Sequence, residues 1–160
     1  MAHWEMRKKE QEIEDVEEME AILLETKYIT VAMCFEGEPY LVALSHGYDA
    51  ERRAIFFHCG YEGKKIDILR ENPVVWGQAV RDLGVVEEEC DHHYATTMFR
   101  GKVSFPEEKE EKRHALAVLI GQFGGDADKF FAKEDTDKRI KAVNIGRIDI
   151  EYMTGKRSSG

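Results

Sequence analysis

Residues 28–45 read YITVAMCFEGEPYLVALS. Two runs rich in β-branched and aromatic residues flank the turn Glu36-Gly37-Glu38-Pro39. Such runs favour strands, and a connection this short makes them an antiparallel hairpin. A Gly-Tyr-Asp turn within residues 46–53 leads to a third predicted strand at 54–59, so three strands follow one another without a crossover helix. That order excludes a doubly wound parallel sheet.

Further along the chain, residues 64–71 suit a short helix, which Asn72-Pro73 stops because proline disfavours helical geometry in the residue before it. Strands are predicted at 74–80 and 94–105, with the polar, acidic stretch 81–93 read as a loop between them. Trp76 falls in a strand and is expected in the core. Residues 107–123 place Ala115, Leu116, Leu119, Ile120 and Phe123 on one helical face, and Gly124-Gly125 closes that helix. A shorter helical piece is predicted at 126–132 and a last strand at 140–153. Before the hairpin, Ile13, Val16, Met19, Ile22 and Leu23 recur at helical spacing within an acidic helix. The expectation is one domain over 1–160: an acidic helix over 1–26, a mainly β (α+β) body and a tail at 154–160. Six strands that must hide their edges fit a six-stranded antiparallel split β-barrel with flanking helices.

The chain has 160 residues and a formal net charge of −9, from 32 acidic and 23 basic side chains. Residues 1–25 hold nine of the acidic and three of the basic groups, so the body is nearly balanced. The acidic balance argues against nucleic acid as a partner, because phosphate-backbone binding needs a basic surface. A local anion site remains compatible with it. No apolar run approaches membrane-spanning length, no secretory signal opens the chain, and the three cysteines are widely spaced. Those features point to the cytoplasm, with free thiols and no membrane partner.

The chemistry concentrates in Phe57-His58-Cys59-Gly60-Tyr61-Glu62-Gly63-Lys64-Lys65. A strand ends, two glycines let the backbone bend, and two lysines open a helix. Lysines at a helix N-terminus oppose its dipole, so their placement points to a bound anion as much as to a solvated surface loop. His58 and Cys59, as strand neighbours, face opposite sides and cannot form a nucleophilic pair. Cys90-Asp91-His92-His93 strings possible metal ligands together, but adjacent ligands strain one tetrahedral site, and no metal is expected there. His114 is read as structural or exposed.

Four passages, in this order, give the chain a family likeness: residues 39–49 (PYLVALSHGYD), residues 55–65 (IFFHCGYEGKK) running to Asn72-Pro73, residues 94–101 (YATTMFRG) and residues 148–156 (IDIEYMTGK). Through them it resembles the FMN-binding split-barrel flavoproteins, the superfamily of pyridoxamine 5′-phosphate oxidase, nearest its nitroimidazole-resistance branch. The resemblance implies a homodimer with FMN at the subunit interface. Lys64 and Lys65 match the basic pair on the FMN phosphate, and Val42, Ala43, Leu44 and Ser45 match the strand along the flavin ring. His58 and Cys59 match the strand end beside the cofactor, with His58 the catalytic candidate. Thr96 matches a position that reaches the flavin from the partner subunit. Leu41 and His46 stand where the oxidase proper has arginine and lysine, and its C-terminal tryptophan and arginine are absent. The expectation is therefore an FMN-dependent oxidoreductase acting on a small acceptor such as a nitro compound or quinone. The alternatives are a flavin or haem carrier without turnover and a metal-binding protein using Cys90, His92 and His93.

Overall fold

The computed structural model describes residues 6–88 and 91–158. A 3-10 turn at Lys9–Gln11 leads into β1 (Glu12–Ile13) and α1 (Val16–Glu25), followed by β2 (Tyr28–Phe35), β3 (Glu38–Ser45), β4 (Gly47–Asp49) and β5 (Ala54–Cys59). The chain continues through α2 (Lys64–Glu71), β6 (Val74–Val86), β7 (Asp91–Ser104), α3 (Lys109–Gln122), α4 (Ala127–Phe131), α5 (Thr136–Ala142) and β8 (Asn144–Ser158). One antiparallel sheet runs β3-β2-β6-β7-β8-β5-β4, with β1 paired to β8. It curls until β3 comes back into contact with β5, giving a split barrel.

The core follows from strand alternation. Ile29, Val31 and Met33 of β2 meet Ile55 and Phe57 of β5, Phe99 of β7 and Ile148 of β8 inside the barrel. Met19, Ile22 and Leu23 of α1 and Ile68 and Leu69 of α2 join the same cluster. Each fully buried side chain of this kind contributes about 1.5–3 kcal/mol. The opposite face of β5 carries Ala54 and Phe56, which pack with Ile145 against Ala115 and Leu119 of α3. Ion pairs tie α3 down: Glu111 binds Arg52 and Arg147 at 2.8 and 2.7 Å, and His114 meets Asp49 at 2.6 Å. Burial raises the Glu111 carboxyl, but hydrogen bonds from both arginines outweigh it and hold the group below the usual carboxylate range.

Several expectations need correction. The sheet has eight strands rather than six, because the short β1 and β4 add to its edges. In the predicted loop at 81–93, residues 81–86 and 91–93 are instead the paired far ends of β6 and β7, with a register shift between Asp82 and Gly84. Both faces of that ribbon meet water, so Leu83 and Val85 are exposed and no apolar alternation marks it. Of the acidic helix expected over 1–26, residues 1–5 lie outside the described residues and the helix found is Val16–Glu25, where Asp15 accepts from Glu17 N–H and caps it. Ile13, read as helical, pairs with Gly155 instead. The last strand begins at Asn144, since residues 136–142 form α5 with the Arg139–Asp135 pair across one turn. It runs on to Ser158, so residues 154–158 are strand, not tail. Gly155 is required there, because a Cβ would lie 2.7 Å from Ile13 Cβ and 2.8 Å from Met19 Cγ. Trp76 is not core: it points outward, 39% exposed, with its ring edge-on to Tyr152.

His46 is fully buried where the β3–β4 junction meets α1. Its Nε2 donates to Leu23 O at 2.9 Å, which leaves Nδ1 as a bare, buried nitrogen without a partner. A proton on Nδ1 would be a donor with nothing to accept it, and burial holds the imidazole below its usual pKa of 6.5. The unfolded chain therefore takes up this proton first as pH falls. The stabilising term is fully present above pH 6.5 and is lost below it, at up to about 1.4 kcal/mol per pH unit. Urea unfolding of wild type and His46→Gln between pH 7.5 and 5 should show the variant with the shallower acid loss.

Candidate functional site

The site forms where β5 ends and α2 begins. Alternation along β5 buries Phe57, exposes His58 and half-buries Cys59. Cys59 packs against the barrel core together with Tyr40 and Val42 of β3. Residues 60–63 then turn the chain into α2. Gly63 is the N-cap, with φ +122°, a conformation L side chains rarely adopt. The N–H groups of Ile66 and Asp67 both return to Gly63 O, at 2.8 and 3.1 Å, and no side chain caps the helix. The Lys64 and Lys65 N–H groups are thus left to solvent or a ligand.

Two ammonium groups join these amides. Lys64 Nζ lies 4.5 Å from the Tyr40 ring centroid, which holds it over β3. Lys65 is close enough to Cys59 for its charge to act on the thiol. Burial pushes that thiol up, Lys65 offsets part of the rise, and Cys59 stays protonated and neutral. Neither lysine has a carboxylate partner among the described residues. Free amides, a helix dipole and two unpaired cations make a donor set that fits a phosphate dianion.

The expected residues do not all converge. Val42 and Leu44 face inward, whereas Ala43 and Ser45 face outward on the same strand. His58 lies on the outward side of β5, opposite Cys59, with no hydrogen-bond partner among the described residues. Thr96 lies apart from the group. It sits directly across from Lys156 near the end of β8, whereas Cys59 pairs with Asn144 at the start of β8. Twelve residues of strand separate those partners, about 40 Å of contour. The Thr96 hydroxyl is engaged locally, donating to Ala79 O at 2.9 Å.

Sequence reading missed Tyr40, Asn144 and Lys112 near the site. Lys112 carried a legible signal: it stands three and seven residues before Ala115 and Leu119, on the buried face of α3. The proposed cluster at 90–93 resolves otherwise. Cys90 lies outside the described residues, His92 bonds Asp82 at 2.9 Å, and His93 lies 3.9 Å from Asp91. Among the described residues no group of three His, Cys, Asp or Glu could hold a metal. A shallow groove of about 300 Å³ beside β1 is lined by Glu10, Glu12, Glu14, Asp15, Glu18 and Arg157, a setting that repels a phosphate. No helix among the described residues is long and apolar enough to cross a membrane.

Residues 15–157 match a family model described as pyridoxamine 5′-phosphate oxidase. Among solved structures, a proposed 5-nitroimidazole antibiotic resistance protein from Bacteroides thetaiotaomicron is 31% identical with a TM-score of 0.79, over 91% of this chain and 86% of that one. A FAD-binding protein from Mesorhizobium loti shares 21% identity with a TM-score of 0.67, over 91% and 96% of the two chains. A FAD and haem binding protein from Mycobacterium smegmatis shares 17% identity with a TM-score of 0.77, over 94% and 74%. The last two likenesses concern the fold alone. No curated protein matches the chain.

Proposed function

The chain belongs to the pyridoxamine 5′-phosphate oxidase family, and from that premise we propose that it binds FMN as an oxidoreductase acting on a small acceptor, such as a nitro compound or quinone. The observation that carries this reading is the Gly63-capped start of α2 with two unpaired lysines on its first turn. Solved relatives described as binding FAD or as a nitroimidazole resistance protein support a flavin over other phosphorylated ligands. Bound there, the flavin supplies the electron transfer. Lys64, Lys65 and their amides hold the phosphate. Tyr40, Val42 and the neutral Cys59 wall the inner side, and His58 is the proton-handling group at the mouth.

The proposed assembly is a homodimer. Thr96 pairs with Lys156 near the end of β8 and Cys59 with Asn144 at its start, and a second copy would let Thr96 and Lys64 reach one ligand. The outward face of the sheet offers an apolar surface for that copy. Leu41, Ala32, Trp76 and Arg100 form one cross-strand row, and exposed Tyr28 and Val80 lie near Thr96. Val80→Asp should convert the dimer to monomer and weaken FMN binding together, read by light scattering and fluorescence titration. A Val80→Asp chain that stays dimeric with unchanged affinity removes this interface. The cytoplasm is the proposed compartment.

The test of the function is titration of the purified protein with FMN, FAD and riboflavin, followed by anaerobic reduction with NADH or NADPH and addition of nitro compounds and quinones. FMN binding with acceptor-dependent reoxidation is the expected result; absence of any flavin binding sinks the reading. A second reading, a flavin carrier without turnover, is favoured by one observation: no described residue orients His58. Tight flavin binding without reduction by either nicotinamide would select it.

A further inference from the structure

Lys112 is a lysine buried without an acid. It is 7% exposed, and its Nζ donates to Val143 O at 2.9 Å and to the Tyr61 hydroxyl at 3.4 Å. The same ammonium lies 5.8 Å from the centre of the Tyr61 ring. The Tyr61 hydroxyl in turn donates to Val143 O at 3.1 Å. Both partners of the ammonium are neutral oxygens, so burying the charge is costly, and an apolar residue facing Ala115 and Leu119 would pack there at lower cost.

Tyr61 belongs to the four-residue link between Cys59 and α2. Two glycines in that link leave it little stiffness of its own. It is gripped from outside at two adjacent residues: Asn144 Nδ2 donates to Gly60 O at 2.9 Å, and Arg70 donates to Tyr61 O at 3.3 Å. The side chain of Tyr61, held by Lys112 and by the carbonyls of Val143 and Lys141, ties this link to α3 and to the end of α5. Only Glu62 stands between that tie and the Gly63 cap.

We propose that Lys112 and Tyr61 form a positioning pair for the anion site: their contact fixes the 60–63 link so that the Gly63 cap and the Lys64 and Lys65 amides converge, preorganised, on one phosphate. This rests on the phosphate assignment above. Preorganised donors lose less on binding, so the pair acts on phosphate affinity without touching the phosphate. The two residues work as one unit, and their effects should not add.

The test uses the full chain with Lys112→Met, Tyr61→Phe and the double variant. Tyr61 is 49% exposed, so Tyr61→Phe keeps the ring and leaves the fold intact even if Lys112→Met does not. Three readouts are compared: Kd for FMN, Kd for riboflavin, and amide hydrogen exchange over residues 60–65 without flavin. The expected result is an FMN Kd raised about tenfold by each single variant and no further by the double. Riboflavin affinity should stay within about twofold, with faster exchange confined to 60–65. Equal loss for FMN and riboflavin overturns the inference, since it marks a general prop. Unchanged FMN affinity in Tyr61→Phe, with wild type binding FMN, overturns the inference alone. Wild type that binds no flavin overturns the phosphate reading and the inference with it.

Discussion

Changing Lys64 and Lys65 together to alanine should raise the Kd for FMN by on the order of a hundredfold and leave riboflavin affinity nearly unchanged. In the proposed site each ammonium makes a charge-assisted bond to a phosphate oxygen, a stronger class of hydrogen bond than a neutral one. Lys64 is exposed, so solvent screening reduces its share, and the expectation is set below the full worth of two such bonds. The helix amides remain in the double variant, which is why binding weakens rather than vanishes. Wild-type affinity should fall as salt rises, and the variant should lose most of that dependence. Fluorescence titration with FMN and riboflavin at two ionic strengths measures all four quantities. Parallel loss of both ligands would place the lysines' role in folding rather than in phosphate binding.

Phe57→Ala should cost about 3–5 kcal/mol of stability. The ring is 1% exposed and belongs to the barrel core. It lies against Gly146 of β8, where a Cβ would come within 2.1 Å of its tip. Glycine there and phenylalanine here are one fitted pair. Removing the ring leaves a cavity that the paired strands cannot collapse to fill. A typical domain is stable by only about 5–15 kcal/mol, so the variant should unfold at a markedly lower urea midpoint with its slope unchanged. The same cavity lies on the Cys59 face of β5, so FMN affinity should decline with it. A midpoint shift worth less than about 1 kcal/mol would mean that the barrel relaxes around the loss.

Legibility followed the range of the interaction. The 28–45 hairpin was readable because turn and strands are neighbours in sequence, and β2 and β3 pair residue for residue from Tyr28↔Ser45 to Phe35↔Glu38. The helix start at Lys64 was readable for the same reason. The paired ends at 81–86 and 91–93 were not, because a two-stranded arm wet on both faces lacks the alternation that betrays a strand. Trp76 reads as core because aromatic residues are usually buried, whereas strand phase turns it outward. Ile13 fitted a helical stripe and served a strand instead, because β8 offered it backbone partners.

By itself the sequence determined that the chain is an antiparallel β protein, and that a glycine-flanked helix start carrying two lysines stands at the end of a strand. Those properties come from propensity, turn chemistry and the helix dipole, which act over a few residues. Only the tertiary structure decided which distant groups meet. It put Lys112 against Tyr61, 51 residues away, and it set Thr96 and Cys59 against opposite ends of β8. Sheet order and register settle such pairings, and both depend on how the whole barrel buries its apolar face.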